Sequence, residues 1–160
     1  MPTPADDIRF LRMTEVSPEA ILAHMRHPRL ADHMPLLTFE WTPDRVADFI
    51  AAKDAMWQRD GLGHWAFEAG GSYVGWGGFQ KEGEEWDFGL VLRPERFGLG
   101  VRIARKALDF ARQDPRIPFV TFLLPPSRRH LGALDRLGAR ELGRVDHAGK
   151  TFRKFRLETV

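Results

Sequence analysis

The chain contains 160 residues, of which 43% are apolar and 29% charged, and this is room for one compact domain with its own core. No apolar run approaches the roughly 20 residues that a helix needs to span a bilayer, and there is no cysteine. Membrane-spanning proteins, disulfide scaffolds, thiolate zinc sites and cysteine nucleophiles are therefore excluded. The length predicts a single domain over residues 1–160. Because the N-terminus lacks a signal-peptide pattern and the chain has no cysteine, we expect this domain in the cytoplasm.

Charge is distributed unevenly along the chain. The 24 Lys and Arg residues exceed the 22 Asp and Glu residues by only two. Residues 1–92 nevertheless hold 8 basic and 15 acidic side chains, whereas residues 93–160 hold 16 basic and 7 acidic ones. This asymmetry favours binding of a cation by residues 1–92 and of an anion by residues 93–160. An arginine-rich surface that binds no ligand would give the same counts.

Periodicity predicts one strand and two helices before residue 60. Residues 8–13 alternate apolar and polar side chains, as a half-buried strand does. Ser17-Pro18-Glu19 has the serine cap, the proline and the first-turn acid of a helix start. Thr42-Pro43-Asp44 repeats this signal for a second helix that runs towards Arg59. Residues 27–41, between the helices, are predicted to be irregular.

Three short strands and a third helix are predicted next. The strands are residues 64–69, 73–80 and 86–92, which are rich in aromatic and branched side chains and are separated by glycine-containing turns. Residues 99–112 form an amphipathic helix that begins on glycines, without a side-chain cap. Its predicted core face consists of Val101, Ala104, Leu108 and Ala111.

A buried strand, a helix and a hairpin are predicted for the end of the chain. Residues 119–124 are almost all apolar, as expected of a strand covered on both faces. Ser127 is the predicted cap of the helix, and Gly138 is its predicted C-terminal glycine. Two charged strands meet at Ala148-Gly149. The predicted core stripe of the helix consists of Leu131, Leu134 and Leu137.

The most informative motif is the segment from Arg93 to Gly100, which joins a predicted strand to a predicted helix. Its glycines lack Cβ atoms and let a phosphate approach the backbone, and the free amides of the helix start point at that phosphate. The alternative is a structural turn with no ligand. A dinucleotide fingerprint and a P-loop both fail, because Ile103 and Arg144 stand where each requires a glycine. The arginines that add attraction for an anion are Arg93, Arg96, Arg102 and Arg105.

Four segments in the order of these elements match one family. They are Val74-Gly75-Trp76-Gly77-Gly78, Asp87-Phe88-Gly89-Leu90-Val91-Leu92, Pro94-Glu95-Arg96-Phe97-Gly98-Leu99-Gly100 and Leu134-Asp135-Arg136-Leu137-Gly138-Ala139. The chain thereby resembles the GNAT superfamily of acetyl-CoA-dependent N-acetyltransferases, and most closely its ribosomal-protein-alanine N-acetyltransferase branch. The resemblance implies an α/β (α+β) fold with a central mixed, mostly antiparallel sheet flanked by helices. It also implies that the fourth and fifth strands splay apart around acetyl-CoA.

The same resemblance implies which residues hold the cofactor. Main-chain contacts with the acetyl group and pantetheine fall to Leu90, Val91 and Leu92. The family's usual arginine or glutamine at the start of the pyrophosphate loop is Glu95 here, so Arg96 or Arg102 is expected to supply the cation. Ser127 stands where the family often has an asparagine after the fifth strand. The pyrophosphate loop consists of Glu95, Arg96, Phe97, Gly98, Leu99, Gly100 and Val101.

Direct transfer of the acetyl group requires a base that deprotonates the amine. Asp87 is the expected base, because it aligns with a fourth-strand glutamate of the branch and because strand alternation places it on the face of Gly89 and Val91. Pairing with an arginine is its alternative role. The reserve bases are Glu84, Glu85 and His64.

The departing thiolate requires a proton, and the thioester carbonyl requires a hydrogen-bond donor. Many relatives use a tyrosine as the acid, but its position holds Leu134 here. His130, in the first turn of the helix after the fifth strand, is the expected acid, unless it is simply exposed there. Tyr73, the only tyrosine, is expected to pack at a strand edge. A backbone amide of Val91 or Leu92 is the candidate donor to the carbonyl oxygen.

The acceptor is expected to be a primary amine, drawn by Glu40, Asp87 and the carboxylates of the second helix. A protein N-terminus, an aminoglycoside, a polyamine and a small amine all remain open, as does a homodimer. The alternative function is a non-catalytic acyl-CoA-binding or sensing domain. No metal is expected, because the spacing of the histidines gives no tight cluster. No membrane partner is expected either, because no apolar run is long enough to span a bilayer. Nucleic-acid binding is ranked last, because Phe152 and Phe155 alternate with charges as core-facing residues do.

Overall fold

The computed structural model describes residues 7–33, 40–127 and 131–159. Its strands are β1 (Ile8–Leu11), β2 (His64–Ala69), β3 (Ser72–Glu82), β4 (Glu85–Leu92), β5 (Phe119–Leu124), β6 (Arg140–His147) and β7 (Lys150–Glu158). Its helices are α1 (Pro18–Met25), α2 (Pro43–Asp60), α3 (Gly100–Gln113) and α4 (Gly132–Leu137). Short 3-10 turns occupy Met13–Glu15, Pro28–His33 and Pro94–Leu99.

The strands of the described ranges form one mixed sheet in the order β1-β2-β3-β4-β5-β7-β6. The pairs β1–β2, β2–β3, β5–β7 and β6–β7 are antiparallel, whereas β4 and β5 are parallel. The register of β4 with β5 consists of the single pair Asp87 and Thr121, the short ladder expected of strands that splay apart. A mostly antiparallel sheet flanked by helices confirms the predicted fold class.

The described residues fall into two compact units, the first within Met1–Gly78 and Leu90–Gly100 and the second within Phe79–Gly89 and Val101–Val160. The first unit has an apolar core that includes Met13, Ile21, Val46 and Trp76. In the second unit, the ring of Phe88 lies 5.5 Å from that of Phe79 and 5.6 Å from that of Phe122. Phe152 and Phe155 are buried, as their alternation with charged residues predicted. No helix of the described residues is long and apolar enough to cross a membrane.

The caps predicted for the first two helices are confirmed. Ser17 Oγ accepts a hydrogen bond from the Ala20 amide at 3.4 Å, and Thr42 Oγ1 accepts one from the Arg45 amide at 3.2 Å. The Ala20 amide also donates to the Ser17 carbonyl at 3.1 Å, and both caps bind amides in the first turn of their helix. The predicted first strand is two residues too long, because β1 ends at Leu11 and Met13–Glu15 forms a 3-10 turn.

The predicted cap of the last helix is wrong. The N-cap of α4 is Leu131, which makes no side-chain cap bond, and Ser127 lies in an exposed turn five positions before the helix starts. The other end agrees with the prediction, because Gly138 adopts the left-handed conformation at φ 90°. The leucine stripe of α4 exists but is only half-buried. Ala148 and Gly149, at φ 51° and 79°, form the left-handed turn between β6 and β7.

Candidate functional site

The segment after β4 folds as the sequence predicted, as a tight turn that leads into a helix. The Arg93 amide donates to the Val74 carbonyl at 2.8 Å, which fixes the end of β4 against β3. Pro94–Leu99 then forms a 3-10 turn, and α3 begins directly at Gly100 with no side-chain cap. The Gly100 amide donates to the Phe97 carbonyl, and the start of α3 carries the positive end of the helix dipole, which attracts anions.

Neither glycine of this turn is required by the backbone. Gly98 and Gly100 do not have positive φ values. A Cβ at Gly98 would meet nothing within 4 Å, and one at Gly100 would lie 3.7 Å from the Leu90 and Leu92 side chains, an ordinary contact. Glycine costs roughly 0.5–1 kcal/mol relative to alanine in regular structure. These two glycines therefore fit a loop that a ligand approaches closely, which is the role predicted for it.

Arg96 has the buried polar atom that a phosphate-binding loop would use. It breaks the 3-10 turn with φ −119° and ψ 17°, and its Nε is buried without a hydrogen-bond partner. Arg93, by contrast, is already paired, because its Nη2 lies 2.6 Å from Glu95 Oε1. A cleft of ≈ 390 Å³ adjoins these side chains. Its lining consists of Ala69, Gly70, Ser72, Tyr73, Val74, Arg93, Glu95 and Arg96.

The remaining residues predicted to bind the cofactor differ in exposure. Leu92 is buried, Leu90, Val91 and Leu99 are half-buried, and Phe97, Arg102 and Ser127 are exposed. Val101 is also exposed, at 44%, so its predicted place in the core of α3 is wrong. The buried residues of α3 are Ile103, Ala107, Leu108 and Ala111. Leu108, seven residues further on, is buried and lies within about 20° of Val101 around the helix, so the exposure of Val101 follows from its place in the first turn and not from its side of the helix.

Asp87, the predicted base, lies half-buried in β4. Its Oδ1 accepts a hydrogen bond from Thr121 Oγ1 at 3.1 Å. The pKa of Asp87 is raised to about 7, chiefly by burial and to a smaller extent by the charges of Glu82 and Glu85, whereas the Thr121 hydrogen bond and Lys154 lower it. Among the described residues Asp87 has no arginine partner, so the ion-pair alternative is not what the structure shows. A carboxylate with this pKa can accept a proton near neutral pH.

The reserve bases have other partners or positions. Glu85 Oε2 lies 2.7 Å from Lys154 Nζ, and Glu84 is exposed in the turn between β3 and β4. His64 is buried, and its Nδ1 lies 2.9 Å from Lys53 Nζ. Burial and the neighbouring ammonium hold the pKa of His64 well below its ordinary value. His64 therefore stays neutral as an acceptor for the lysine.

A buried histidine and tyrosine form a pair that the sequence analysis missed. His24 Nδ1, on α1, lies 2.7 Å from the Tyr73 hydroxyl on β3. Burial lowers the pKa of His24 to about 4 and raises the pKa of Tyr73, so the phenol donates to a neutral imidazole. The backbone of Leu92 also interacts with the His24 ring, and this contact raises the pKa of His24 by less than burial lowers it. The described residues contain no group of histidine and acidic side chains that would hold a metal ion.

His24 is expected to make the protein sensitive to acid. Its pKa is about 4 in the folded state and near 6.5 when unfolded, so its contribution to stability is fully present above about 6.5 and is lost as the pH falls towards 4. The loss is on the order of 3 kcal/mol. Urea unfolding at pH 7.5 and pH 4.5 should show that His24→Gln loses less stability than the wild type. Tyr73→Phe keeps the imidazole and should keep the full loss, and equal losses in all three proteins would contradict this prediction.

Comparison with known proteins places this fold among acyltransferases. The sequence-family model of the GNAT acetyltransferase domain matches residues 8–140 of this chain. A GNAT-family acetyltransferase from Bordetella pertussis has 18% identity and a TM-score of 0.77, with 98% of each chain covered. An aminoglycoside acetyltransferase in complex with coenzyme A has 12% identity and a TM-score of 0.73, with 94% of this chain and 93% of that one covered. A chimeric spermidine N-acetyltransferase from Vibrio cholerae has 11% identity and a TM-score of 0.69, with 96% and 95% covered.

The match to the family model thus defines the class of the protein, an acyl-CoA-dependent transferase. Since the family model covers most of the chain, the protein belongs to the GNAT family of acetyltransferases. It is accordingly an acetyl-CoA-dependent N-acetyltransferase, as the resemblance predicted. His130, the predicted acid, lies outside the described residues.

Proposed function

We propose that the protein transfers an acetyl group from acetyl-CoA to a primary amine by direct attack in a ternary complex. The observation that supports this most is Asp87, a half-buried residue of β4 whose carboxyl group has a pKa of about 7. Strongly shifted pKa values are common at catalytic groups. The whole chain, residues 1–160, would act as one acyl-CoA N-acyltransferase domain, and a cytoplasmic location would give it access to acetyl-CoA.

The donor would be held by the end of β4 and the turn that follows it. In this proposal the main chain of Leu90, Val91 and Leu92 contacts the acetyl group and pantetheine, and the positively polarised start of α3 binds the pyrophosphate. Two observations support the assignment. The backbone does not require a glycine at Gly98 or Gly100, and Arg96 Nε is buried without a hydrogen-bond partner among the described residues. Arg96 would replace the cation that the family usually has at the position of Glu95. The remaining contacts would come from Phe97, Leu99, Val101, Arg102 and Ser127.

The reaction needs two proton transfers. Ionised Asp87 would take a proton from the ammonium form of the acceptor, directly or through a water, because an ammonium has no lone pair for attack. The amine nitrogen then bonds to the thioester carbonyl carbon, the C–S bond breaks, and a second proton passes from the nitrogen to the sulfur. We assign that second transfer to His130. A main-chain amide of Val91 or Leu92 would donate to the carbonyl oxygen as charge develops on it.

The acceptor in this proposal is a cationic primary amine, either a small molecule or a protein N-terminus. The first 92 residues are rich in acidic side chains, and such a field attracts cations. Two structural neighbours are, by their descriptions, an aminoglycoside acetyltransferase and a spermidine N-acetyltransferase. The ribosomal-protein-alanine branch that the sequence resembles would add an N-terminal alanine to these candidates.

An assay of three amines tests the proposed function. The purified protein is incubated with acetyl-CoA and, in turn, spermidine, paromomycin and a peptide with an N-terminal alanine. We expect release of free coenzyme A above the rate without acceptor, and an acetylated product in the mass spectrum, for at least one amine. Binding of acetyl-CoA without transfer to any of the three would favour the non-catalytic acyl-CoA-binding domain.

A further inference from the structure

Gly89 lies on β4 two residues after Asp87, and therefore on the same face of the strand. Its φ is not positive, and a Cβ built on it would meet no atom of residues 7–33, 40–127 and 131–159 within 4 Å. The glycines of β3 are different, because a Cβ at Gly75 would lie 2.4 Å from the Val91 carbonyl and one at Gly78 would lie 2.6 Å from the Trp65 ring. The fold requires glycine at those positions but not at Gly89.

Glycine inside a strand without a structural reason indicates that something else needs the space. It leaves the strand with no side chain to pack, and it is typical of places where a ligand or another backbone approaches closely. Gly89 is half-buried, whereas its neighbour Phe88 on the opposite face is buried. The space above Gly89 is therefore open and lies beside the carboxyl group proposed as the base.

We propose that this space receives the acyl chain of the donor, and that the protein binds and transfers acyl groups longer than acetyl, such as propionyl and butyryl. The inference rests on the proposed function, which places the thioester on Leu90, Val91 and Leu92, directly after Gly89 in β4. The bonds that form and break are those of acetyl transfer. The amine nitrogen joins the carbonyl carbon, the C–S bond breaks, one proton goes from the ammonium group to Asp87, and a second goes from the nitrogen to the sulfur; the added methylene groups take no part.

Spacing along β4 favours the acyl chain over the acceptor as the occupant. Strand residues advance about 3.3 Å each, so the backbone of Gly89 lies about 7 Å along the strand from that of Asp87. An amine that gives its proton to Asp87 is within hydrogen-bond distance of that carboxylate. The carbon that the amine attacks, and the chain attached to it, then lie further along β4, towards Gly89.

Calorimetric binding tests the inference without knowledge of the acceptor. Coenzyme A, acetyl-CoA, propionyl-CoA and butyryl-CoA are titrated into the wild type, Gly89→Ala and Gly89→Val. The wild type should bind all four with Kd values within about threefold. Gly89→Val should bind coenzyme A as the wild type does but should lose about tenfold or more in affinity for butyryl-CoA, because overpacking costs this much. Gly89→Ala should show a smaller loss in the same order.

The controls separate the possible causes. Both variants should melt no lower than the wild type, because the added side chain meets no atom and suits a strand. Gly98→Ala, in the pyrophosphate loop, should change the affinity for all four ligands by the same factor. Unchanged selectivity in Gly89→Val, or poor binding of butyryl-CoA by the wild type, would overturn the inference alone. Failure of the wild type to bind even coenzyme A would overturn the proposed function as well.

Discussion

Replacement of Asp87 by asparagine is expected to lower kcat by about 10²–10⁴-fold, the usual contribution of a positioned general base. Asparagine has nearly the same shape and can still accept the hydrogen bond from Thr121, but it cannot take a proton from an ammonium group. Binding of acetyl-CoA does not depend on this proton and should be unchanged. Steady-state kinetics with an acceptor from the three-amine assay, together with the Kd for acetyl-CoA, measure the two effects separately.

The pH dependence should follow the pKa of Asp87. The base is active when ionised, so kcat/KM should rise with a midpoint near pH 7. Thr121→Val removes the hydrogen bond that lowers this pKa, and its midpoint should move to higher pH. Titration of the acceptor amine also shapes such a profile, but it would not respond to this substitution. A midpoint that is the same in both proteins would assign the titration to the substrate.

Stability supplies a second test of the same carboxyl group. Its pKa is near 3.8 when unfolded and about 7 when folded. The stability contributed by protonated Asp87 is therefore fully present below about pH 3.8 and is lost as the pH rises through about 7. The asparagine side chain of the Asp87→Asn variant does not titrate, so between pH 5 and pH 8.5 the variant should gain stability relative to the wild type, by on the order of 3 kcal/mol.

Glu85→Gln is the matched control, because it neutralises a second carboxylate of β4. Glu85 is paired with Lys154 in a partly exposed position, and such pairs contribute about 0–1 kcal/mol. We expect nearly full activity. A loss of activity in Glu85→Gln with full activity in Asp87→Asn would move the base to Glu85. An inactive wild type whose binding of acetyl-CoA is unaffected by either substitution would support the non-catalytic domain.

The sequence predicted most elements because their signals are local. The bounds predicted for β2 and β5 are those observed, since short aromatic or apolar runs are delimited by glycine and proline. The starts of α1 and α2 follow from caps within three residues of chain. Val101 was misplaced because hydrophobic periodicity gives the side of a helix on which a residue lies but not whether the rest of the fold covers its first turn.

The environment of the site depended on contacts that no local pattern encodes. His24 and Tyr73 are 49 positions apart, and only the packing of α1 on β3 brings them together. The pKa of Asp87 depends on burial and on its parallel register with Thr121. Family resemblance pointed to the residue, but the shift that suits it to proton transfer is a property of the folded chain. Arg96 differs again, since its charge was visible in sequence but the burial of its Nε was not.

Gly98→Glu is expected to abolish measurable stabilisation by acetyl-CoA. At a hundredfold excess over Kd, the donor should stabilise the wild type by about 2.7 kcal/mol, or roughly 5–10 °C in Tm for a domain of this size. A glutamate at this position would place a carboxylate where the proposed pyrophosphate lies, with both repulsion and steric exclusion. Because a Cβ at Gly98 meets no atom in the part of the chain that the structure describes, the variant should fold and melt near the wild-type temperature without ligand.

Two control variants make this result specific to the loop. Gln113→Glu adds the same charge at the far end of α3 and should keep the full shift in Tm, because the attraction for anions is confined to the first turn of a helix. Gly98→Ala adds only a methyl group and should keep a reduced shift. Arg96→Gln removes the unpartnered Nε without adding negative charge, and it should weaken binding by less than the glutamate does. If Gly98→Glu retained the wild-type shift, the anion would have to bind elsewhere, and the assignment of this turn to the pyrophosphate would be wrong.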